Sequence, residues 1–366
     1  MKFRSTGAAI IVFLLGTLDI LSGAEKRFSG QGFAWGTVIK GDSITAGTGM
    51  GYLPQWYSQW DLPTNKTLGL ELALYGYWRY QSNIGKTHLE LYRGNLRFNL
   101  PQLEVVAGLQ QINFGPAQLL RALRWFDRFD PRDPLKIVTG VYALRGRYTF
   151  LNNSNIWVWS LYGNERRNGY EILATEKACP EWGGRMQLPV ADGEGALTIH
   201  QRRVVGMSGA KGDEIRLACD GRWDIGPGVW FEGVMQQTTA ARQLQTWRWN
   251  QFLTLGIDYT LALGNGLYLV GEYFQSRFLQ QWNRVDLQRD VTALMLSYPL
   301  SLFDNLSLVV YYNWDGATLY PYLAYQRIYD KVIINLSAFN YPKAAYAVGN
   351  MNATGYGLQL MLIYNH

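Results

Sequence analysis

From residue 68 onward, apolar side chains return at every second position, in stretches of about ten residues separated by polar links. Leu68, Leu70, Leu72, Leu74, Trp78 and Tyr80 alternate with Gly69, Glu71, Ala73, Tyr75, Tyr77 and Arg79. Leu253, Leu255, Ile257, Tyr259 and Leu261 alternate with Thr254, Gly256, Asp258 and Thr260, and Tyr356, Leu358, Leu360, Leu362 and Tyr364 repeat the pattern near the C-terminus. Successive side chains of a β-strand point to opposite faces, so each stretch has one apolar and one polar face. A mean hydropathy of −0.13 is too polar for a bundle of membrane helices, which needs several apolar runs of about 20 residues.

A soluble sandwich would alternate in the same way, and three further features favour a transmembrane barrel. The stretches are about twice as long as the usual five- or six-residue globular strand. Ten residues at ~3.3 Å each, tilted by ~40°, cover about 25 Å, the height of the apolar band of an outer-membrane barrel. Trp and Tyr cluster at the ends of the apolar faces, as in Trp78 and Tyr80, Tyr148 and Phe150, or Tyr312 and Trp314, where amphipathic rings suit the two membrane boundaries. The opposite faces carry Glu71, Arg79, Arg145, Arg147, Arg202, Arg216, Asp258 and Glu272, with Glu90, Glu104, Asp220 and Glu232 beside them. Such charges would each cost several kcal/mol in a dry core unless paired, and little in an aqueous lumen. The expected fold is all-β: one transmembrane antiparallel barrel over 68–366, its outer face covered by outer-membrane lipid.

Sixteen strands are expected, with fourteen to eighteen compatible with the pattern: 68–80, 87–99, 103–112, 138–150, 155–163, 182–189, 194–203, 212–221, 228–237, 251–262, 267–275, 290–298, 306–314, 319–328, 331–340 and 354–364. Short links follow the even-numbered strands and longer ones follow most odd-numbered strands. Outer-membrane barrels have short periplasmic turns and long external loops, which puts both chain ends in the periplasm.

Lys2 and Arg4 precede the apolar run Ala8–Leu15, and Ser22 and Ala24 offer the small residues that a signal peptidase reads, so 1–24 is expected to be a signal peptide. Its removal takes away two basic and one acidic residue and leaves a net charge of +5, dispersed along the chain. No basic stripe of the kind that binds nucleic acid is present, and export points the same way. The segment 25–67 is Gly- and Trp-rich, with Phe33, Trp35 and Val38 in near-alternation; it is compatible with an extra strand, a plug or a periplasmic extension.

The connection 113–137 stands apart. Pro116 suits a first helical position and Pro131 a stop, so a short amphipathic helix is expected up to Asp130. Arg121, Arg124 and Arg128 fall three and four apart on one face, and Leu119, Leu123 and Phe126 on another. Resting the apolar side on the inner wall would present Arg121, Arg124, Arg128 and Arg132 to the channel, among Asp127 and Asp130, as a pore constriction. Five basic and three acidic side chains give this loop a net charge of +2. With Arg145 and Arg147 on the next strand, such a constriction would favour anions. The same charges are also compatible with arginines and aspartates that neutralise one another and stiffen the loop.

At this loop, Gly108-Leu-Gln-Gln-Ile-Asn-Phe-Gly115, Trp125-Phe-Asp-Arg-Phe-Asp-Pro-Arg-Asp-Pro134 and Gly140-Val-Tyr-Ala-Leu-Arg-Gly146 resemble bacterial outer-membrane porins of the group that includes alginate-export-like channels. The resemblance covers about forty residues. It implies that Pro116–Pro134 folds into the pore; the barrel with its polar inner face is read as passing small hydrophilic solutes by diffusion through a water-filled lumen.

The sequence holds no nucleotide loop, dinucleotide fingerprint, zinc motif or nucleophile elbow. Its three histidines, His88, His200 and His366, are not tied by spacing to a serine or aspartate, so no enzyme activity is expected and no cofactor or metal is called for. Cys179 falls in an external loop and Cys219 on the lipid face of a strand, which predicts two free thiols. The reading is a porin for small hydrophilic solutes, anions among them. A structural or surface-assembly barrel is the alternative, and an outer-membrane hydrolase stands behind it. The solute and the oligomeric state are not encoded in the pattern.

Overall fold

A computed structural model describes residues 25–206, 208–341 and 355–366. Residues 1–24, expected to be a signal peptide, lie outside the described residues, as does most of the 341–353 link. Nineteen strands form a single antiparallel sheet. The first seven are β1 (Glu25–Lys40), β2 (Ile44–Leu62), β3 (Lys66–Gln81), β4 (Ile84–Asn99), β5 (Leu103–Gln110), β6 (Val141–Thr149) and β7 (Asn155–Leu161). The next six are β8 (Ala174–Thr175), β9 (Glu181–Val190), β10 (Gly193–Val205), β11 (Lys211–Asp224), β12 (Gly228–Thr238) and β13 (Trp249–Leu261). The last six are β14 (Leu267–Leu279), β15 (Leu287–Pro299), β16 (Asp304–Asn313), β17 (Thr318–Ile328), β18 (Val332–Tyr341) and β19 (Gly355–Asn365).

Each strand pairs with its neighbour in sequence, and β1 pairs with β19 from Gln31↔Asn365 to Lys40↔Tyr356, which closes the sheet. The two-residue β8 is a side bridge to β10, so β7 pairs directly with β9 and the barrel wall has 18 strands. All sixteen strands expected from the alternation are present. The two further ones, β1 and β2, come from 25–67. Their inner faces lack a regular apolar or charged signature, because Gly47, Gly49 and Gly51 of β2 oppose Thr37, Trp35 and Phe33 of β1.

The faces follow the sequence alternation. Leu74, Trp78, Leu144, Val158, Leu217, Leu255, Ile257, Leu336, Leu358 and Leu360 are exposed on the outside of a closed sheet, where only lipid can cover them. No helix among the described residues is long and apolar enough to cross a membrane, so the strands do the crossing. The barrel closes on its own last residue. The backbone groups of His366 and Gly30 exchange hydrogen bonds at 3.0 and 3.1 Å, and His366 Nε2 lies 2.7 Å from the Tyr52 hydroxyl. Cys179 and Cys219 are both free thiols, far apart in the fold.

Candidate functional site: the narrowed lumen

The 111–140 connection enters the barrel, but it does so as irregular chain. The helix expected from Pro116 to Asp130 is not there. Its amides have better acceptors than their own i−4 carbonyls. Glu232 on β12 accepts the backbone N–H groups of Ala117 (3.0 Å) and Leu123 (2.8 Å). Glu272 on β14 accepts those of Gln118 (2.6 Å), Leu119 (3.0 Å) and Leu120. Two wall carboxyl groups thus accept from five loop amides. Gly115, at φ +93°, allows this approach, since a side chain there would strike the Glu232 carboxylate.

The apolar side of the loop does rest on the inner wall, as its spacing suggested. Phe114, Leu119, Leu120, Leu123, Trp125 and Phe126 are buried in one cluster with wall residues such as Trp157, Trp159, Trp230, Phe252, Phe274 and Tyr311. The lumen on this side is therefore packed rather than aqueous, and the wall charges beneath it are paired. Arg185 binds Asp220 through two bonds of 2.6 and 2.8 Å. Arg202 and Arg216 hold Glu214 and Glu171 at 2.6 to 3.1 Å. His200, fully buried, meets Glu181 at 3.1 Å and the Trp159 indole at 3.2 Å.

Glu171 belongs to a second inward connection, 162–180, which the alternation did not single out. Its Tyr170 stacks between Phe252 (5.3 Å) and Phe274 (5.0 Å), and Gly169 N–H donates to the Asp127 carbonyl. The two connections interlock and fill one side of the barrel.

An open cavity of about 740 Å³ remains on the other side. One bank is the tail of the first loop, Arg128, Asp130, Arg132 and Asp133; the other is the inner face of β1, β3 and β4, including Trp35, Tyr75, Tyr77, Arg79, His88 and Glu90. Each residue expected at the constriction can now be placed. Arg128, Asp130 and Arg132 line the cavity. Arg121 does not. It is buried against an equally buried Asp127 at 2.7 Å and also bonds the Asn113 side chain and the Phe114 carbonyl, so it pins the loop from inside. Arg124 is half-buried behind the lining, next to Gly169.

The expected lumen-facing residues all point inward, but only Arg79 reaches this cavity. Glu71 accepts from Asn95, and Arg145 pairs with Glu104. Arg147 lies over the Trp157 ring at 5.0 Å, near the turn between β6 and β7, and does not line the cavity with the loop tail it was expected to join. Arg202 and Arg216 are buried under the second loop. Asp258 is held by Arg222, Gln118 and Tyr268, and Glu272 holds the first loop.

The cavity is electrostatically uneven. Arg132 is bound to Asp130 through two bonds of 2.9 and 3.0 Å, and Arg166 to Glu90 at 3.0 Å. The Arg79 guanidinium has no hydrogen bond or ion pair among the described residues, and that of Arg128 is held by the Arg167 carbonyl. Burial, then the nearby Arg166 and Arg124, push the Arg128 guanidinium below its ordinary pKa, and the Glu171 carboxylate only partly offsets them. Burial pushes Asp130 up, but the Arg132 hydrogen bonds and charge outweigh it and leave the carboxyl below the ordinary range. Asp133 is raised by burial, which the amides of Ile137 and Leu135 only partly offset.

No family model matches this chain, and no curated protein matches it. Solved structures do. An anion-selective porin from Comamonas acidovorans aligns at a TM-score of 0.54 and 10% identity, over 94% of this chain and 100% of that one. OccAB1 from Acinetobacter baumannii gives 0.59 and 8%, over 94% and 97%. OccK8 (OprE) from Pseudomonas aeruginosa gives 0.57 and 9%, over 93% and 98%. The closed antiparallel barrel of this chain has the fold of bacterial outer-membrane porins.

Proposed function

We propose that the protein is an outer-membrane porin that lets small hydrophilic anions diffuse through the cavity between the first loop and β1–β4. One observation carries the reading: Arg79 on the wall and Arg128 on the loop line the same cavity, and neither guanidinium forms a salt bridge among the described residues. A guanidinium not neutralised by the protein attracts mobile anions, and low-dielectric walls strengthen its field. Lys86, exposed and the register partner of Arg79, extends the positive surface toward the mouth. No cofactor enters this mechanism; size is set by the seated loop and charge preference by Arg79 and Arg128.

The test is ion conduction by the purified barrel in planar bilayers under a salt gradient. An anion-favouring reversal potential that reverses in the Arg79→Glu, Arg128→Glu double variant supports the reading; a cation-favouring wild type overturns it. The packed side of the lumen favours a second reading, a closed surface-assembly barrel, which would give no conductance steps at all.

A further inference from the structure

At the end of the barrel where the two loops enter, the wall is incomplete. β4 runs beside β3 as far as Ile84, but its pairing with β5 stops at Gly94↔Leu109. β5, β6 and β7 end there at Gln110, Val141 and Leu161, and the strand that rises again beyond them is β10, which reaches Val205. The notch has three borders, and the chain caps two of them. The end of β10 is covered by β8, through Val204↔Thr175 and Val205↔Ala174, and by the Glu176 N–H, which donates to the Arg203 carbonyl. The Asn164 side chain imitates a strand at the head of β6, accepting the Tyr142 N–H at 2.9 Å and donating to the Tyr142 carbonyl at 3.1 Å. The border formed by β4 has no such cover. Among the described residues, no backbone group of Ile84–Leu91 bonds to a partner on the side away from β3. Proteins ordinarily cover a long open edge or break it with proline or a bulge. This segment holds no proline, and the bulge at Ala73/Leu74 lies below it.

A cavity of about 320 Å³ lies against the lower part of this edge, between Glu90–Tyr92, Thr139–Tyr142 and Gly163–Arg166. Its lining takes Leu91 and Tyr142 from the lipid side of the sheet and Glu90 and Val141 from the lumen side. It therefore occupies the plane of the wall, where one more strand would run. The Thr139 hydroxyl that lines it is buried without a hydrogen-bond partner. An open strand edge recognises an extended main chain, and the side chains beside it select the sequence. On the lipid side those neighbours are Leu89, 67% exposed, and Leu91. On the lumen side stands Lys86, exposed and without an ion pair among the described residues, whereas Glu90 is held by Arg166 at 3.0 Å. Apolar side chains on one face and carboxylates on the other complement this edge. A second copy of the chain does not. Two barrels related by a twofold axis along the bilayer normal have β4 strands tilted alike, by ~40°, which cross at about 80° and do not align. We infer that the open edge of β4 is a docking strand for an extended segment of another polypeptide, with apolar and acidic residues in alternation, that completes the wall beside Ile84–Leu91.

This inference needs the barrel but not its ion preference. The probe is the octapeptide acetyl-Val-Glu-Val-Glu-Val-Glu-Val-Glu-amide, added to the full mature protein in detergent micelles, with amide hydrogen exchange read by mass spectrometry. The peptide should slow exchange over 84–91 about tenfold and leave β11–β14 unchanged. Two N-methylated versions, one at every valine and one at every glutamate, separate strand pairing from side-chain adhesion, because only alternate amides of a strand point to one neighbour. One version should protect 84–91 and the other should not. The counterpart with lysine in place of glutamate should protect about tenfold less, and Lys86→Glu should reverse that order. Equal behaviour of the two methylated versions, no effect of any peptide, or slow exchange over 84–91 before peptide is added overturns the docking strand. Stronger protection by the lysine peptide on the wild-type protein overturns the acidic occupant.

Discussion

Glu272 accepts the backbone N–H of Leu119 at 3.0 Å, joining residues 153 positions apart in the chain. The same carboxylate serves Gln118 and Leu120, and Glu232 does the equivalent work for Ala117 and Leu123. The constriction is thus held by its main chain. Replacing a wall carboxyl by an amide should loosen it, because an amide offers one acceptor oxygen in place of two and each hydrogen bond contributes about 0.5–1.5 kcal/mol. Glu272→Gln should raise single-channel conductance and current noise and expose 116–124 to protease. The Glu232→Gln, Glu272→Gln double variant should exceed either single change.

The arginines of the first loop divide by partner. Arg128→Glu alters a lining residue and should shift the reversal potential toward cations with little change in heat-modifiability on gels. Arg121→Glu sets a second carboxylate against a buried Asp127 and should destabilise the loop by about 3–5 kcal/mol. Its signature is early thermal collapse, with the selectivity change secondary.

The second inward loop hangs on the cluster of Arg202, Arg216, Glu214 and Glu171. Arg202→Ala leaves Glu214 short of one of its two guanidinium partners in a site that excludes water. A loss of about 3–5 kcal/mol is expected. Melting of the folded band at lower temperature, with cleavage in 162–173, would register it.

Selectivity should depend on pH through two loop carboxyls that are shifted in opposite directions. Asp133, raised by burial, takes up its proton as pH falls toward the ordinary carboxylate range; Asp130, held low by Arg132, stays ionised until further down. A raised native pKa means that the folded loop gains stability as pH falls through this step, since the neutral acid is the form burial favours. Anion preference should therefore rise first on acidification, and Asp133→Asn should remove that early rise. Reversal potentials measured stepwise from neutral to acid pH test both statements.

Cys219 sits on the outer face between its register partners Leu197 and Gly233, and Cys179 lies in the external loop beside Glu176. Mass spectrometry without reduction should find two alkylatable thiols. A water-soluble maleimide on intact cells should label Cys179 and leave Cys219 under lipid.

The wall was legible because lipid and lumen impose a strict period of two. Leu68 to Tyr80 was assigned to the right faces residue by residue, and so was Gly355 onward. The first hairpin was not, since Gly47, Gly49 and Gly51 remove the inner-face signal there and the rings of adjacent strands cover the gap. The apolar spacing of Leu119, Leu123 and Phe126 correctly announced an inner seat for the loop. It could not announce the backbone, because side-chain spacing carries no information on where the amides find acceptors, and Glu232 and Glu272 lie on distant strands. For the same reason Arg121 and Arg128 looked equivalent until Asp127 claimed one of them. The open edge of β4 was invisible for a related cause: where β5 stops beside it depends on a pairing that only the closed sheet fixes.

The long reach of the wall glutamates sets an order of assembly. The amides of Ala117 and Gln118 wait for acceptors 115 and 154 residues downstream, so the loop cannot settle until β12 and β14 have taken their places. Contacts that span so much sequence form late, after the entropy of closing the intervening chain has been met. Maturation of the permeation path is then a final step: the cylinder is threaded and sealed first, and its narrow waist is set afterwards.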